Sequence, residues 1–208
     1  MFHPEYIVHP NVNWTYFSRN PNAIHILEQN LDKVDWKWFS DNPNAIPILE
    51  KNLDKVDWKW LSGNPNAIHL LTRFLQKRYL YEMDTVDWSR LSANPNAIPI
   101  LEKNLNKVDW YWLSLNPNAI RILENNLYEV DWHGLSANPN AVHIIEKNFV
   151  KLDLYKKIDW YKLSGNPNAI PFLEQFLGKV HWGNLSSNPN AIHLLEKNFD
   201  KVDWMYLS

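Results

Sequence analysis

The chain has 208 residues, a formal net charge of −2 and no cysteine, which excludes a disulfide framework and a thiolate metal site. Acidic and basic residues are interleaved without the basic run that neutralises a phosphate backbone, so we expect no nucleic-acid partner. No apolar stretch approaches the length that crosses a bilayer, and the first residues lack a signal-peptide pattern. We therefore expect a cytoplasmic protein with no membrane partner.

One segment is copied along nearly the whole chain. The tetrad Asn-Pro-Asn-Ala begins at eight positions with a period of 22 residues, interrupted by one spacing of 30 and one of 28. These positions are Asn20, Asn42, Asn64, Asn94, Asn116, Asn138, Asn166 and Asn188. So short a unit cannot bury its own apolar face, and a fixed period of this size is typical of stacked repeats that share a core. The sequence predicts an all-α fold, an α-solenoid of tandem 22-residue helix-turn-helix repeats.

The domain organisation follows from the extent of the repeats. We expect residues 1–11, which lack the repeat, to cap the first repeat, and residues 12–208 to form a single repeat domain of about eight and a half repeats. Two insertions, near residues 76–85 and 150–157, lengthen the connection between repeats. Insertions of this kind project from one face of a solenoid, often the binding face. The alternative is a second helix lengthened by about two turns, without function.

The first helix of each repeat is expected to begin after an N-capping residue. Asp35 is such a residue, because its carboxylate accepts hydrogen bonds from the free amides of the first turn. We predict the helix over residues 36–40. Asn13 takes the capping position in the first copy and His181 takes it in the eighth.

The tetrad is expected to form a tight turn before the second helix, since Pro fixes φ and Asn bonds the backbone ahead of it. We expect Asn44 to cap a second helix that has Pro47 in its first turn and runs to about Lys51. Asn52 is expected to end this helix in the left-handed conformation.

Tryptophan occupies one position in all nine copies of the first helix. The residues are Trp14, Trp36, Trp58, Trp88, Trp110, Trp132, Trp160, Trp182 and Trp204. A position that never varies is one that every interface between repeats needs. This favours a buried core role over stacking on a sugar or a base.

The position two residues later varies, and residues i and i+2 of a helix point apart, so it is expected to be more exposed. Its occupants are Tyr16, Trp38, Trp60, Arg90, Trp112, Gly134, Lys162, Asn184 and Tyr206. The first three form a predicted aromatic stripe, typical of an interaction surface, unless they lean on the neighbouring repeat. The candidate partner-binding residues are Tyr16, Trp38, Trp60, Trp112, Tyr79, Tyr81 and Tyr155.

The C-terminal half-repeat keeps apolar residues where terminal repeats usually carry polar ones. We expect it to act either as a lid or as an uncapped face through which the chain could form a homo-oligomer. The candidate self-association residues are Trp204, Met205, Tyr206 and Leu207.

No residue pattern indicates catalysis or metal binding. Histidine recurs at His25, His69, His143 and His193, but repeats lie about 10 Å apart, too far for adjacent histidines to share a metal. Serines such as Ser40, with the repeated Asp, are expected to serve caps and turns because they occur serially. We expect no catalytic, cofactor-binding or metal-binding residue, no cofactor and no enzyme.

The full pattern is Val-Asp-Trp-x-x-Leu-Ser-x-Asn-Pro-Asn-Ala-Ile-x-x-Leu-Glu-x-Asn, clear in residues 34–52 and 108–126. It resembles a short helical repeat of proteins from large nucleocytoplasmic DNA viruses such as relatives of mimivirus. The resemblance implies no catalytic residue, and it implies work in an infected cell's cytoplasm or in the virion. We expect a non-enzymatic scaffold for a protein partner. The alternative is a structural or virion assembly component that self-associates end to end through its C-terminal face.

Overall fold

A computed structural model describes residues 12–77 and 85–207. The expected cap at residues 1–11, most of the first insertion, and the candidates Tyr79 and Tyr81 lie outside these ranges. The chain divides into two compact units, Met1–Val108 and Asp109–Ser208. The single domain expected over residues 12–208 stays a prediction.

The described residues are helical, with short 3₁₀ turns and no β-strand. In the first unit the α-helices are α1 Trp14–Arg19, α2 Ile24–Leu27, α3 Trp36–Asp41, α4 Ile46–Leu49, α5 Trp58–Leu61, α6 Ile68–Lys77, α7 Trp88–Ala93 and α8 Ile98–Leu101. In the second unit they are α9 Trp110–Leu115, α10 Ile120–Asn125, α11 Trp132–Leu135, α12 Val142–Asn148, α13 Trp160–Gly165, α14 Ile170–Leu173, α15 Trp182–Ser186 and α16 Ile192–Lys197.

Equivalent helices of successive repeats stack on one another within each unit. In the first unit α1 contacts α3 and α3 contacts α5, and in the second α9 contacts α11 and α13 contacts α15. This confirms the predicted fold class: an all-α, α-solenoid arrangement of tandem 22-residue helix-turn-helix repeats.

The first helix of the repeat is capped as predicted. Asp35 accepts a hydrogen bond from the amide of Trp38 at 3.4 Å, and α3 begins at Trp36. Asn13 accepts from the amide of Tyr16 at 3.3 Å. In the eighth copy the imidazole Nδ1 of His181 accepts from the amide of Asn184 at 3.2 Å. The capping rule therefore holds for all three residue types.

The tetrad forms the predicted tight turn, closed by the bond from the Ala45 amide to the Asn42 carbonyl at 3.1 Å. The predicted capping role of Asn44 is wrong. Helix α4 starts at Ile46 after Ala45, which makes no side-chain cap. Asn44 Nδ2 instead donates to the carbonyl of Pro21, in the preceding repeat, at 3.0 Å. The side chain serves an interface between repeats because a carbonyl of the previous turn lies within its reach.

The second helix ends differently from the prediction. Helix α4 stops at Leu49, and Asn52 is not left-handed, since Asp153 is the only described non-glycine residue with positive φ. The Asn52 side-chain amide donates to the carbonyl of Ile48 at 2.8 Å. A side-chain donor thus satisfies one of the free C-terminal carbonyls without a left-handed residue. The same contact is made by Asn30, Asn104, Asn126, Asn148 and Asn198.

The core is lined by the fourth residue of the first helix and by aliphatic residues of the second. Phe39, Leu61, Ala45 and Leu49 are fully buried. The expectation that the recurrent tryptophan is core is wrong in every described copy except Trp132, because the short first helix points its fourth residue inward.

Most of these tryptophans are half-buried, and in four copies the ring is covered by a lysine 19 residues later. Lys55 Nζ lies 5.0 Å from the centre of the Trp36 ring, and Lys201 Nζ lies 4.9 Å from that of Trp182. The same contact is made by Lys33 with Trp14 at 5.2 Å and by Lys107 with Trp88 at 5.5 Å. The ring is thus partly sheltered by a lysine from the following connection, a cation–π contact.

The two insertions have different structures. Helix α6 extends over ten residues to Lys77, which confirms a longer second helix before the first insertion. Helix α12 stops at Asn148, and residues 150–157 form turns and a 3₁₀ helix, Leu154–Lys156. A lengthened second helix is therefore the wrong description of the second insertion, because its fully buried Leu154 turns the chain back into the core.

Candidate interaction surface

The unvarying polar residues of the repeat bind the preceding repeat. Asn64 is fully buried, and its Nδ2 donates to the carbonyls of Ser40 at 3.0 Å and Asn42 at 2.9 Å. Its Oδ1 accepts from the amide of Asn66 at 3.0 Å, so the whole side-chain amide is satisfied. We call the set with both carbonyl contacts the amide ladder. Its members are Asn42, Asn64, Asn94, Asn138, Asn166 and Asn188.

The repeated serine supports the same interface. The buried Ser40 hydroxyl donates to the carbonyl of Trp36 at 2.7 Å and accepts from the amide of Asp57 at 3.0 Å. Both hydrogen-bonding roles of the hydroxyl are therefore used within the fold. A serine held in this way has a structural position, and the variable positions are left as the candidates for recognition.

The predicted stripe contains a pair of tryptophans in tilted ring contact, with an interplanar angle of 52°, flanked by arginines. The ring centres of Trp38 and Trp60 lie 4.5 Å apart. The Arg19 guanidinium carbon lies 5.1 Å from the Trp38 ring centre, and that of Arg90 lies 4.0 Å from the Trp60 ring centre. We call these four residues the arginine-flanked pair. Each cation–π contact contributes about 0.5–2 kcal/mol, so the arrangement holds a fixed aromatic and cationic surface.

The exposure of the stripe is uneven. Tyr16 is 76% exposed and Arg19 is exposed, whereas Trp38 and Trp60 are half-buried. Trp38 and Trp60 therefore lean on each other across neighbouring repeats. A partner arriving at this surface meets the Tyr16 phenol and the Arg19 guanidinium first, with the tryptophan pair beside them.

Sequence reasoning missed the two arginines of the arginine-flanked pair. Arg90 occupies the same helical position as Trp60, one repeat later, and Arg19 follows Tyr16 by three residues. Residues three apart on a helix are surface neighbours. Two signals in the sequence could have identified them. One is the arginine a helical turn after Tyr16, and the other is the arginine that replaces the tryptophan one repeat after Trp60.

The remaining partner-binding candidates in the described ranges lie in the second unit. Trp112 is exposed and its ring meets that of Tyr111 edge-on at 5.3 Å. The next copy has a buried Gly134 at this position, so the aromatic run does not extend to it. Tyr155 is exposed on the second insertion. The binding roles of these residues stay predictions.

The C-terminal candidates are strongly exposed. Met205 is 89% exposed, Trp204 and Tyr206 are each 57% exposed, and Leu207 is half-buried. The Trp204 ring packs edge-on against Phe199, with ring centres 4.9 Å apart. An open depression of about 480 Å³ beside them is lined in part by Trp182, Lys201 and Met205. Their role in self-association stays a prediction.

Three of the four recurrent histidines pair with glutamates of the preceding repeat. His69 Nε2 lies 2.8 Å from Glu50, His143 lies 3.2 Å from Glu124 and His193 lies 2.9 Å from Glu174. Both members of each pair are about half exposed, so the pairs are solvent-screened contacts of modest strength. Among the residues that the structure describes, no three or more His, Asp or Glu residues converge in a way that could hold a metal ion.

No family model, no curated protein and no solved structure matches the chain. In residues 12–77 and 85–207 no helix is long and apolar enough to cross a bilayer.

Proposed function

We propose that the protein is a non-enzymatic scaffold that binds a protein partner through the aromatic stripe and the arginine-flanked pair of the first unit. The observation that carries the proposal is the exposed Tyr16 together with the tilted ring contact between Trp38 and Trp60, which has a guanidinium group at each end. Tyr, Trp and Arg are the residues that most often dominate protein–protein binding energy.

The use of the repeated polar residues supports a scaffold over an enzyme. Ser40 and Asn64 make their hydrogen bonds within the repeat and to the neighbouring repeats, and Asp57 caps α5. A hydrolytic site needs a nucleophile whose hydroxyl faces a general base and a substrate. The serines of the repeat are instead committed to backbone partners.

Affinity capture from a lysate of the source cell tests the proposal. The wild-type protein is compared with a Tyr16→Ser/Arg19→Glu variant. Both side chains are exposed, so the variant is expected to keep its far-ultraviolet circular dichroism. We expect a protein that the wild type captures to be lost by this variant, because it removes the exposed aromatic group and reverses the adjacent charge.

A matched control makes the same chemical changes in the second unit. Tyr128 and Arg121 are both exposed, and the Tyr128→Ser/Arg121→Glu variant has the same net charge as the stripe variant. This control is expected to retain the partner. Equal capture by the stripe variant and the wild type would contradict the proposal.

The second candidate function is structural assembly through the C-terminal residues. The run of exposed Trp204, Met205 and Tyr206, with Phe199 beside it, favours this candidate. Sedimentation velocity over a range of concentrations would give an increasing sedimentation coefficient, and Met205→Lys would abolish that increase. A coefficient independent of concentration would argue against assembly.

The location of the protein is proposed from the repeat pattern alone. The resemblance to helical repeats of large DNA viruses supports a scaffold that works in the cytoplasm of an infected cell or in the virion. Immunolocalisation of the tagged protein in infected cells tests this proposal, and a location outside both compartments would contradict it.

A further inference from the structure

The second insertion forms a surface of its own in the second unit. Leu154 is fully buried and anchors the insertion in the core, and Asp153 takes a left-handed conformation with φ of 47°. The amide of Ile158 donates to the Leu154 carbonyl at 3.0 Å and leads the chain into the next repeat. The insertion is therefore held in place at its centre, with its polar residues around a buried anchor.

Five aromatic residues are in contact around this anchor. The ring centre of Phe149 lies 4.9 Å from that of Phe176, 5.2 Å from that of Phe172 and 6.3 Å from those of Tyr155 and Trp160. The Trp160 indole N–H also donates to the carbonyl of Tyr155 at 3.2 Å. We call these five residues the aromatic cluster. Edge-on and tilted contacts of this kind add to the stability gained by burial, so the cluster gives the insertion a rigid support.

The exposed side of the insertion is basic and apolar. Val150 is 90% exposed, and Lys151, Lys156 and Lys157 are all exposed. Lys179 Nζ lies 4.5 Å from the ring centre of Tyr155. None of these four lysines forms an ion pair with a residue in the described ranges. Residues 150–157 hold three of these lysines and one exposed carboxylate, Asp153, so the surface combines a net positive charge with an exposed apolar side chain.

We propose that this surface binds an acidic polypeptide segment that carries an apolar or aromatic side chain. Carboxylates of the segment would pair with Lys151, Lys156 and Lys157, and its apolar side chain would cover Val150. Interfaces combine an apolar centre with charges that complement those of the partner. The surface lies in the second unit and does not depend on the stripe of the first.

The geometry favours a polypeptide over a nucleic acid. Single-stranded nucleic acid is held by bases that stack on free aromatic faces. The Tyr155 ring is already in contact with Phe149, Trp160 and Lys179. Val150 is strongly exposed and cannot hydrogen-bond a phosphate, whereas an apolar side chain of a polypeptide would bury it.

Fluorescence anisotropy with the full chain tests the proposal. The probe is a fluorescein-labelled peptide of glutamates with one central phenylalanine. A second peptide has glutamine in place of every glutamate, a third has alanine in place of phenylalanine, and a labelled oligothymidylate is the nucleic-acid probe. We expect the first peptide to bind most tightly. Its affinity is expected to fall as NaCl rises from about 50 to 300 mM, because salt screens the lysine charges.

Charge reversal locates the site. The Lys151→Glu/Lys156→Glu/Lys157→Glu variant is expected to lose at least about tenfold in affinity for the acidic peptide. A matched control reverses three exposed lysines elsewhere, Lys51, Lys103 and Lys197, and is expected to change the affinity less than about twofold. Val150→Ser is expected to weaken the phenylalanine peptide and to leave the alanine peptide unchanged.

Several outcomes would overturn this inference. They are the absence of binding by the acidic peptide, equal losses in the two triple variants, and tighter binding of the oligothymidylate than of the peptide. The Tyr16→Ser/Arg19→Glu variant is expected to bind the acidic peptide as the wild type does. The peptide-binding proposal for the insertion can therefore fail independently of the partner-binding proposal for the stripe, because each is tested by its own variant.

Discussion

The side-chain amide of Asn64 donates a hydrogen bond to the backbone carbonyl of Ser40, 24 residues earlier in the chain, at 3.0 Å. This contact joins one repeat to the repeat before it, and both residues are fully buried. The tetrad that looks like turn chemistry in the sequence is therefore also the polar connection between repeats.

Asn64→Asp is expected to destabilise the protein by about 3–5 kcal/mol, because a nearly isosteric carboxylate cannot donate to two carbonyls and carries a buried charge. The control is Asn66→Asp, at an exposed residue that donates to the single carbonyl of Pro43 at 2.9 Å. Its expected cost is about 1 kcal/mol or less. Urea unfolding followed by circular dichroism measures both, and equal midpoints for the two variants would contradict the amide ladder.

Ser40→Ala is expected to cost about 1–3 kcal/mol, because it leaves the part-buried amide of Asp57 without its acceptor and removes a buried hydroxyl that donates to Trp36. Ser187→Ala is the matched change, since Ser187 is exposed and bonds only the nearby carbonyl of Asn184. That control should stay within about 0.5 kcal/mol of the wild type. The structural role assigned to Ser40 is wrong if its variant unfolds at the same urea concentration as the control.

The same tryptophan position should matter differently along the chain. Trp132 is 8% exposed and Trp204 is 57% exposed. Trp132→Ala is expected to cost about 3–5 kcal/mol and Trp204→Ala about 1 kcal/mol or less. Thermal unfolding of the two variants gives the comparison. Equal losses of stability in the two variants would contradict the difference in burial between Trp132 and Trp204.

Gly134 should not tolerate alanine, because a Cβ there would lie 2.9 Å from the carbonyl oxygen of Tyr111. The clash is with backbone and is expected to cost about 1–3 kcal/mol, more than the ~1 kcal/mol that alanine gains over glycine in a helix. A Cβ at Gly178 would meet nothing within 4 Å, so Gly178→Ala should be neutral or slightly stabilising. Chemical denaturation measures both, and a neutral Gly134→Ala would contradict the close approach of α11 to α9.

The features that the sequence predicted correctly depend on neighbours a few residues away. The capping of α3 by Asp35 and the turn closed between Asn42 and Ala45 are local hydrogen bonds, so the residue types alone indicate them. The period of the repeat gave the fold class because only stacking can bury the aliphatic side of so short a unit.

The features that were missed depend on partners a full repeat away. Asn44 was expected to cap its own helix but donates to Pro21, 23 residues earlier. The burial of Trp36 depends partly on Lys55, 19 residues later. The sequence did contain one signal of these contacts between repeats, the serine that stands two residues before every tetrad. A polar residue kept in every copy indicates a hydrogen bond that every interface between repeats needs.

The candidate surface was predicted only in part. The variable position of the first helix identified Trp38 and Trp60 as candidates. Their ring contact and the flanking arginines could not be predicted without knowing how adjacent repeats are placed relative to each other. Local rules place residues on a helix face, but they do not say which side chains of adjacent repeats meet. The second insertion was similarly recognised as an addition, while its anchor Leu154 and its aromatic cluster appear only in the fold.

The central claim, that buried asparagine side chains join successive repeats, is tested most directly by hydrogen exchange of side-chain amides in ¹⁵N NMR spectra. The account predicts that the Nδ2 protons of Asn42, Asn64, Asn138 and Asn188 exchange slower, by about a hundredfold or more, than those of the exposed Asn106. Exchange of all five at one rate would contradict the claim.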